Sequence, residues 1–72
     1  MANSIGAGSD PNIIRALQAA LVANGYTAPV NGTFDDTTIA ALEAFEGDNA
    51  LPVQASCDEA CWHALFAVHV TT

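Results

Sequence analysis

Cys57, Cys61, His63 and His69 are the only cysteines and histidines in the chain, and they cluster near its C-terminal end. A structural zinc ion takes four ligands, usually Cys or His. His63 follows Cys61 by two positions and so points away from it on a helix, which argues against convergence on one ion. No metal and no cofactor is expected. The cysteine pair is open to two readings. The first is two buried reduced thiols, because free Cys packs as a small hydrophobe. The second is a constrained Cys57–Cys61 disulfide. A redox role needs an exposed thiolate of low pKa, for which Cys61 is a weak candidate. The adjacent acids Asp35-Asp36 and Asp58-Glu59 have the composition of a general acid–base pair. Acids at a helix start serve as caps without any chemistry, however, and the chain is expected not to be an enzyme. The groups left for binding are the Asn31-Gly32 turn, Phe34 and the ring of Tyr26. Arg15, the only cation, is expected in a surface ion pair, with a clamp on a ligand carboxylate as the other reading.

These residues are positioned by helices whose starts and stops are legible. Asp10-Pro11 is an N-cap followed by Pro at the first helical position. Ile13, Ile14, Leu17, Leu21 and Val22 recur at helical spacing, and Asn24-Gly25 closes the run, so the first helix is expected over about residues 11–24. Pro29 and Asn31-Gly32 make a loop with a tight turn. Asp35 reads as the next N-cap, with Phe34 and Ile39 placed as a hydrophobic staple that would pin the entry of the chain. If Phe34 is core, its loss should cost about 3–5 kcal/mol. Ile39, Leu42 and Phe45 form the second apolar stripe, and Gly47 is the expected stop. After a loop containing Pro52, Asp58 caps a third helix whose apolar face is Trp62, Leu65, Phe66 and Val70. Residues 1–9 are small and polar and are expected to be a flexible lead-in to a domain over residues 10–72.

The second and third helices repeat one unit at an offset of 23 residues. Residues 30–42 align with 53–65: Val, Asp, Ala and Leu coincide, and Asn/Gln, Gly/Ala, Thr/Ser and Asp/Glu pair chemically. Cys57 falls in the slot of Phe34 and Trp62 in that of Ile39.

At 72 residues the chain makes one small domain. Its 51% hydrophobic content separates it from disordered sequences. The charge is lopsided, with eight acids against one Arg and a net −7. Counterion release on nucleic acid needs clustered cations, and anionic lipid surfaces repel such a chain. Neither partner is expected. No apolar run reaches the roughly 18–20 residues of a membrane-spanning helix. The first residues lack the charged and apolar regions of a secretory signal, so a cytoplasmic location, or a virion or cell-wall location after release, is expected.

The ordered series Leu17-Gln18, Gly25-Tyr26, Gly32, Phe34, Thr38, Ala41-Leu42, Phe45, Leu51-Pro52-Val53, Asp58-Glu59-Ala60, Trp62 and Leu65 resembles the peptidoglycan-binding domain family. The resemblance covers about residues 11–66. It implies a compact all-α, three-helix module that binds the bacterial cell wall without catalysis. It also implies ligand-facing positions around the first loop and the second helix, here Asn31, Gly32, Phe34, Asp35, Thr38 and Glu46, with Tyr26 beside them. Four motifs depart from the family pattern: Asp-Gly is Asn31-Gly32, Phe-Gly is Phe34-Asp35, Phe-Gln is Phe45-Glu46, and the third-helix Thr is Cys61. The implied partner is the glycan and stem peptide of peptidoglycan. A single small module binds weakly, so a protein scaffold or multicopy assembly such as a phage particle is expected to present it. The competing expectation is an accessory or decoration subunit of a virion, in which the same fold docks on protein and glycan binding is lost.

Overall fold

The computed structural model describes residues 4–67, Ala67 by its backbone alone. It contains α1 (Pro11–Ala23), α2 (Asp36–Asp48) and α3 (Glu59–Ala67). Asp10 caps α1 by accepting the Asn12 amide at 2.8 Å, and Pro11 occupies the first turn, where its missing N–H costs nothing. Asp35 caps α2 by accepting the Thr38 amide at 3.1 Å. At the start of α3, Asp58 Oδ1 accepts the Cys61 amide at 3.0 Å. Positions 35 and 58, and 38 and 61, are 23 apart, so the sequence repeat is a repeat of cap geometry.

α1 packs against both other helices. The core contains Leu17, Leu21, Leu42, Phe45, Cys57, Cys61 and Leu65, and Ile5, Tyr26, Phe34, Leu51 and Trp62 lean on it. The Cα radius of gyration is 11.0 Å, matching the ~11 Å of a compact chain of this length. Several expectations are corrected. Ile13 and Val22, placed on the apolar stripe of α1, are about half exposed, because the buried stripe runs through Ile14, Leu17, Gln18 and Leu21 instead. Phe66 is also exposed. Val70 and His69 lie outside the described residues.

Gly47 does not end α2, which runs on to Asp48 with Asn49 as its C-cap. The stop comes from the next residue, Ala50, at φ 59°. The Leu51 amide then reaches back to the Glu46 carbonyl at 2.8 Å. α1 ends in the same way, but with Gly25 at φ 94° and the Tyr26 amide on the Leu21 carbonyl at 2.9 Å. Glycine adopts this left-handed conformation without steric cost, whereas alanine is strained in it. Ala50→Gly should therefore raise stability by up to about 1 kcal/mol, a gain of several degrees in Tm by thermal melt for a domain this small. An unchanged or lower Tm would show that Ala50 is not strained.

Residues 4–9 are not a free lead-in. Ile5 and Cys57 form an antiparallel bridge, each amide donating to the other carbonyl at 2.8 Å. The Ile5 side chain packs on the core, and Ser9 Oγ accepts the Gly6 amide at 2.9 Å to close the turn that follows. Apolar burial at a single position, Ile5, together with one backbone pair draws this polar stretch onto the domain. Cys57 and Cys61 are joined by a disulfide, with Cα atoms 5.2 Å apart, inside the range a bridge can span. The bridge is the second of the two readings left open for this pair, and both residues are buried.

Candidate functional site

Gln18 organises the first loop. It lies within the apolar stripe of α1, fully buried, and its amide is surrounded by polar groups. Oε1 accepts the backbone amides of Asn31 and Gly32, each at 2.9 Å. Nε2 shares its two hydrogens among the Thr33 carbonyl at 2.8 Å, Thr38 Oγ1 at 2.9 Å and Asn31 Oδ1 at 3.1 Å. Two backbone donors on one side and a carbonyl on the other leave a single orientation for this amide. One side chain thus ties the turn to α1 and α1 to the first turn of α2.

The turn is pressed close to α1. Gly32 has φ 79°, and a Cβ there would stand 3.2 Å from the Pro11 carbonyl oxygen and 3.5 Å from Arg15 Cγ. A larger residue would both strain the backbone and push the loop off the helix. Asn31 is exposed. Its Oδ1 faces inward, accepting from Gln18 and from the Thr33 amide at 2.9 Å. Its Nδ2 is therefore turned outward, with no partner among the described residues. Arg15 crosses beside the same turn and donates through Nη1 to Asn12 Oδ1 at 3.1 Å. The expected surface ion pair is not present: among the described residues the one ion pair is His63–Glu59 at 3.8 Å, on α3.

The seven positions implied by the resemblance fall into separate groups. Asn31, Gly32, Asp35 and Thr38 are joined through Gln18 and the α2 cap. Thr38 is fully buried, and its hydroxyl lies 3.0 Å from Asp35 Oδ1, so it holds the loop and presents nothing to an outside ligand. Hydrogen bonds from the Thr38 amide and hydroxyl hold the Asp35 carboxyl below its ordinary pKa. Phe34 is half-buried against the core, as a staple residue would be. Tyr26 lies at the other end of α2. Its ring meets Phe45 edge to face at 5.8 Å, and its hydroxyl donates to Asp48 Oδ2 at 2.6 Å. That hydrogen bond raises the Tyr26 pKa. The 13 residues of α2 separate the Tyr26–Asp48 end from the Asn31 turn by roughly 20 Å, so one small ligand does not span both.

Glu46 is also buried, which removes it from any ligand-facing surface. Its Oε1 accepts the Gln54 amide at 2.8 Å, while Oε2 has no hydrogen-bond partner. Position 54 is the repeat mate of Asn31, so each loop has a backbone amide held by a buried side chain of the preceding helix. Gln18 holds the first and Glu46 the second. Burial raises the Glu46 pKa against the lowering effect of the Gln54 amide, and the negative charges of Asp58 and Glu43 raise it further. The folded state therefore binds this proton more tightly than the unfolded chain. The resulting stability is present in acid and is lost as pH rises from the ordinary value of 4.5 through the raised folded value. Glu46→Gln keeps the acceptor and removes the charge. It should flatten this descent and melt higher than the parent at neutral pH, read from Tm measured between about pH 3 and about pH 7. Parallel Tm–pH curves for the two proteins would mean that Glu46 is not the group responsible.

Neither a catalytic carboxylate pair nor a ligand set for a metal comes together among the described residues: Asp35 and Asp58 are engaged as caps, and no group of His, Cys, Asp and Glu is arranged to hold an ion. No helix among them is long and apolar enough to cross a membrane. The signal for Gln18 in the sequence was a lone amide in an apolar helical stripe, next to Leu17 and four residues after Ile14.

Three helices, two related loop–helix units and a turn clamped by a buried amide define a small all-α module. The family model of the putative peptidoglycan binding domain matches residues 10–65. The chain belongs to this family, and the match runs from the cap of α1 through both loops to Leu65 in α3. Neither the curated proteins nor the solved structures give a significant match.

Proposed function

We propose that this chain binds peptidoglycan without cleaving it, and that its contact surface is the Asn31-Gly32 turn with the adjoining face of α1. The observation that carries the reading is the clamped turn: Gln18 fixes the loop while the Asn31 amide group stays outside. A preorganised loop loses little freedom on binding, which favours affinity. The surface is small, so retention on a cell wall depends on several linked copies or a joined partner, as on a phage particle. Tyr26 is left out of this surface, since its hydroxyl is taken by Asp48 at the far end of α2.

The test is co-sedimentation with insoluble peptidoglycan sacculi. Asn31→Asp keeps the inward Oδ1 and the turn, and replaces the outward amide donor with a negative charge. Binding should fall about tenfold in this variant and stay unchanged in Tyr26→Phe, with circular dichroism showing both to be folded. Equal retention of Asn31→Asp would remove the turn from the binding surface. Failure of the folded wild-type protein to sediment, even when several copies are linked, would overturn cell-wall binding and favour docking on a protein scaffold.

A further inference from the structure

We infer that Arg15 and the outward amide of Asn31 form an anion subsite that takes a carboxylate of the bound ligand. The inference rests on the peptidoglycan-binding reading and names the chemistry recognised at its surface.

Arg15 is the only cation in a chain with eight acids. Among the described residues no carboxylate lies within ion-pair distance of it. Among the described residues its sole hydrogen bond is to a neutral acceptor, Asn12 Oδ1 at 3.1 Å, three residues back on the same helix. The stem of the side chain lies along the clamped turn, with Cγ 3.5 Å from the place of a Gly32 Cβ. The absence of that Cβ leaves room for the arginine to lie close to the loop. Asn31 precedes Gly32 in the same turn, and its Oδ1 is held inward by Gln18 and Thr33. Its Nδ2–H groups are directed outward for the same reason. Two outward donors, one of them charged, therefore flank a rigid turn.

A carboxylate suits this arrangement. Arginine offers paired N–H groups that fit two carboxylate oxygens, and an amide N–H adds a neutral donor. The rest of the molecule repels an anion at long range, but salt screens that field beyond about 8 Å. A local cation then decides whether an acidic ligand can approach this face. The cap carboxylate of the same helix, Asp10, is engaged by the Asn12 amide.

The experiment titrates 15N-labelled protein with a disaccharide–tetrapeptide muropeptide bearing free stem carboxylates, and with the same compound amidated. Shifts should centre on the Arg15 side chain and on residues 31–33. Arg15→Gln should bind the free-acid compound about tenfold more weakly, Arg15→Lys should recover only part of the loss, and amidation should weaken the wild type to a similar degree. Affinity for the free acid should also fall with added salt in the wild type and not in Arg15→Gln. Wild-type binding that is indifferent to both Arg15→Gln and amidation would overturn the carboxylate subsite and leave peptidoglycan binding standing. A wild type that binds neither muropeptide nor sacculi would overturn both.

Discussion

Replacing Gln18 with methionine should remove a large part of the protein's stability. Methionine has nearly the same length and shape and can be buried there, so the packing loss is small. The hydrogen bonds are lost entirely. The amides of Asn31 and Gly32 lose their acceptor, and the Thr33 carbonyl loses a donor. A buried backbone group without a partner costs about 1–3 kcal/mol. Solvent entering the loosened loop relieves part of this, which leaves a loss of about 3–5 kcal/mol. A chain of this size has about 4–11 kcal/mol in total. Urea titration followed by circular dichroism gives the number. A loss under about 1 kcal/mol would mean that the loop's amides find other partners, and that Gln18 is not what holds the site.

Phe45→Ala should cost about 3–5 kcal/mol, because the ring is the largest fully buried side chain and its removal opens a cavity in the centre of the core. It also removes the ring against which Tyr26 packs. Phe34→Ala should cost about half as much, since that ring is only half-buried and part of its surface is already in water. This lowers the figure that a core position for Phe34 would have required. Melting both variants side by side makes the comparison independent of the absolute scale. Equal losses would make Phe34 as much a core residue as Phe45. A larger loss at Phe34 would move the centre of the core from the C-terminal half of α2 to the loop that enters it.

The two variants separate what is local from what is not. Phe34 could be placed by rule, because a staple is defined by residues a few positions apart, before and after a capping Asp. Phe45 could be placed by helical spacing from Leu42 and Ile39. The same holds for the three caps at Asp10, Asp35 and Asp58, each of which accepts an amide two or three residues ahead. Helix stops were harder. Asn24-Gly25 was legible because glycine marks the left-handed position, whereas at Ala50 the chain adopts that conformation with a residue that gives no such signal.

The candidate site was legible only in outline. Asn31 and Gly32 stood out as a turn, but Thr38 and Glu46 were placed toward ligand and are fully buried. Whether a polar residue on a helix faces water or a neighbouring loop depends on contacts far along the chain. Gln18 meets Asn31 across 13 residues and Thr38 across 20. Tyr26 was grouped with the turn because it is near in sequence, and α2 places it at the opposite end.

By itself the sequence determined the class of fold, the order and starts of the helices, the 23-residue repeat and the family, because each rests on spacing within one or two turns or on an ordered series of residues. The tertiary structure decided which polar side chains hold the loops. It also decided that Ile5 docks on Cys57, that the cysteines pair, and that Arg15 has no carboxylate partner among the described residues. Those outcomes depend on which distant segments share a small core, and a burial pattern set by packing three helices has no local signature.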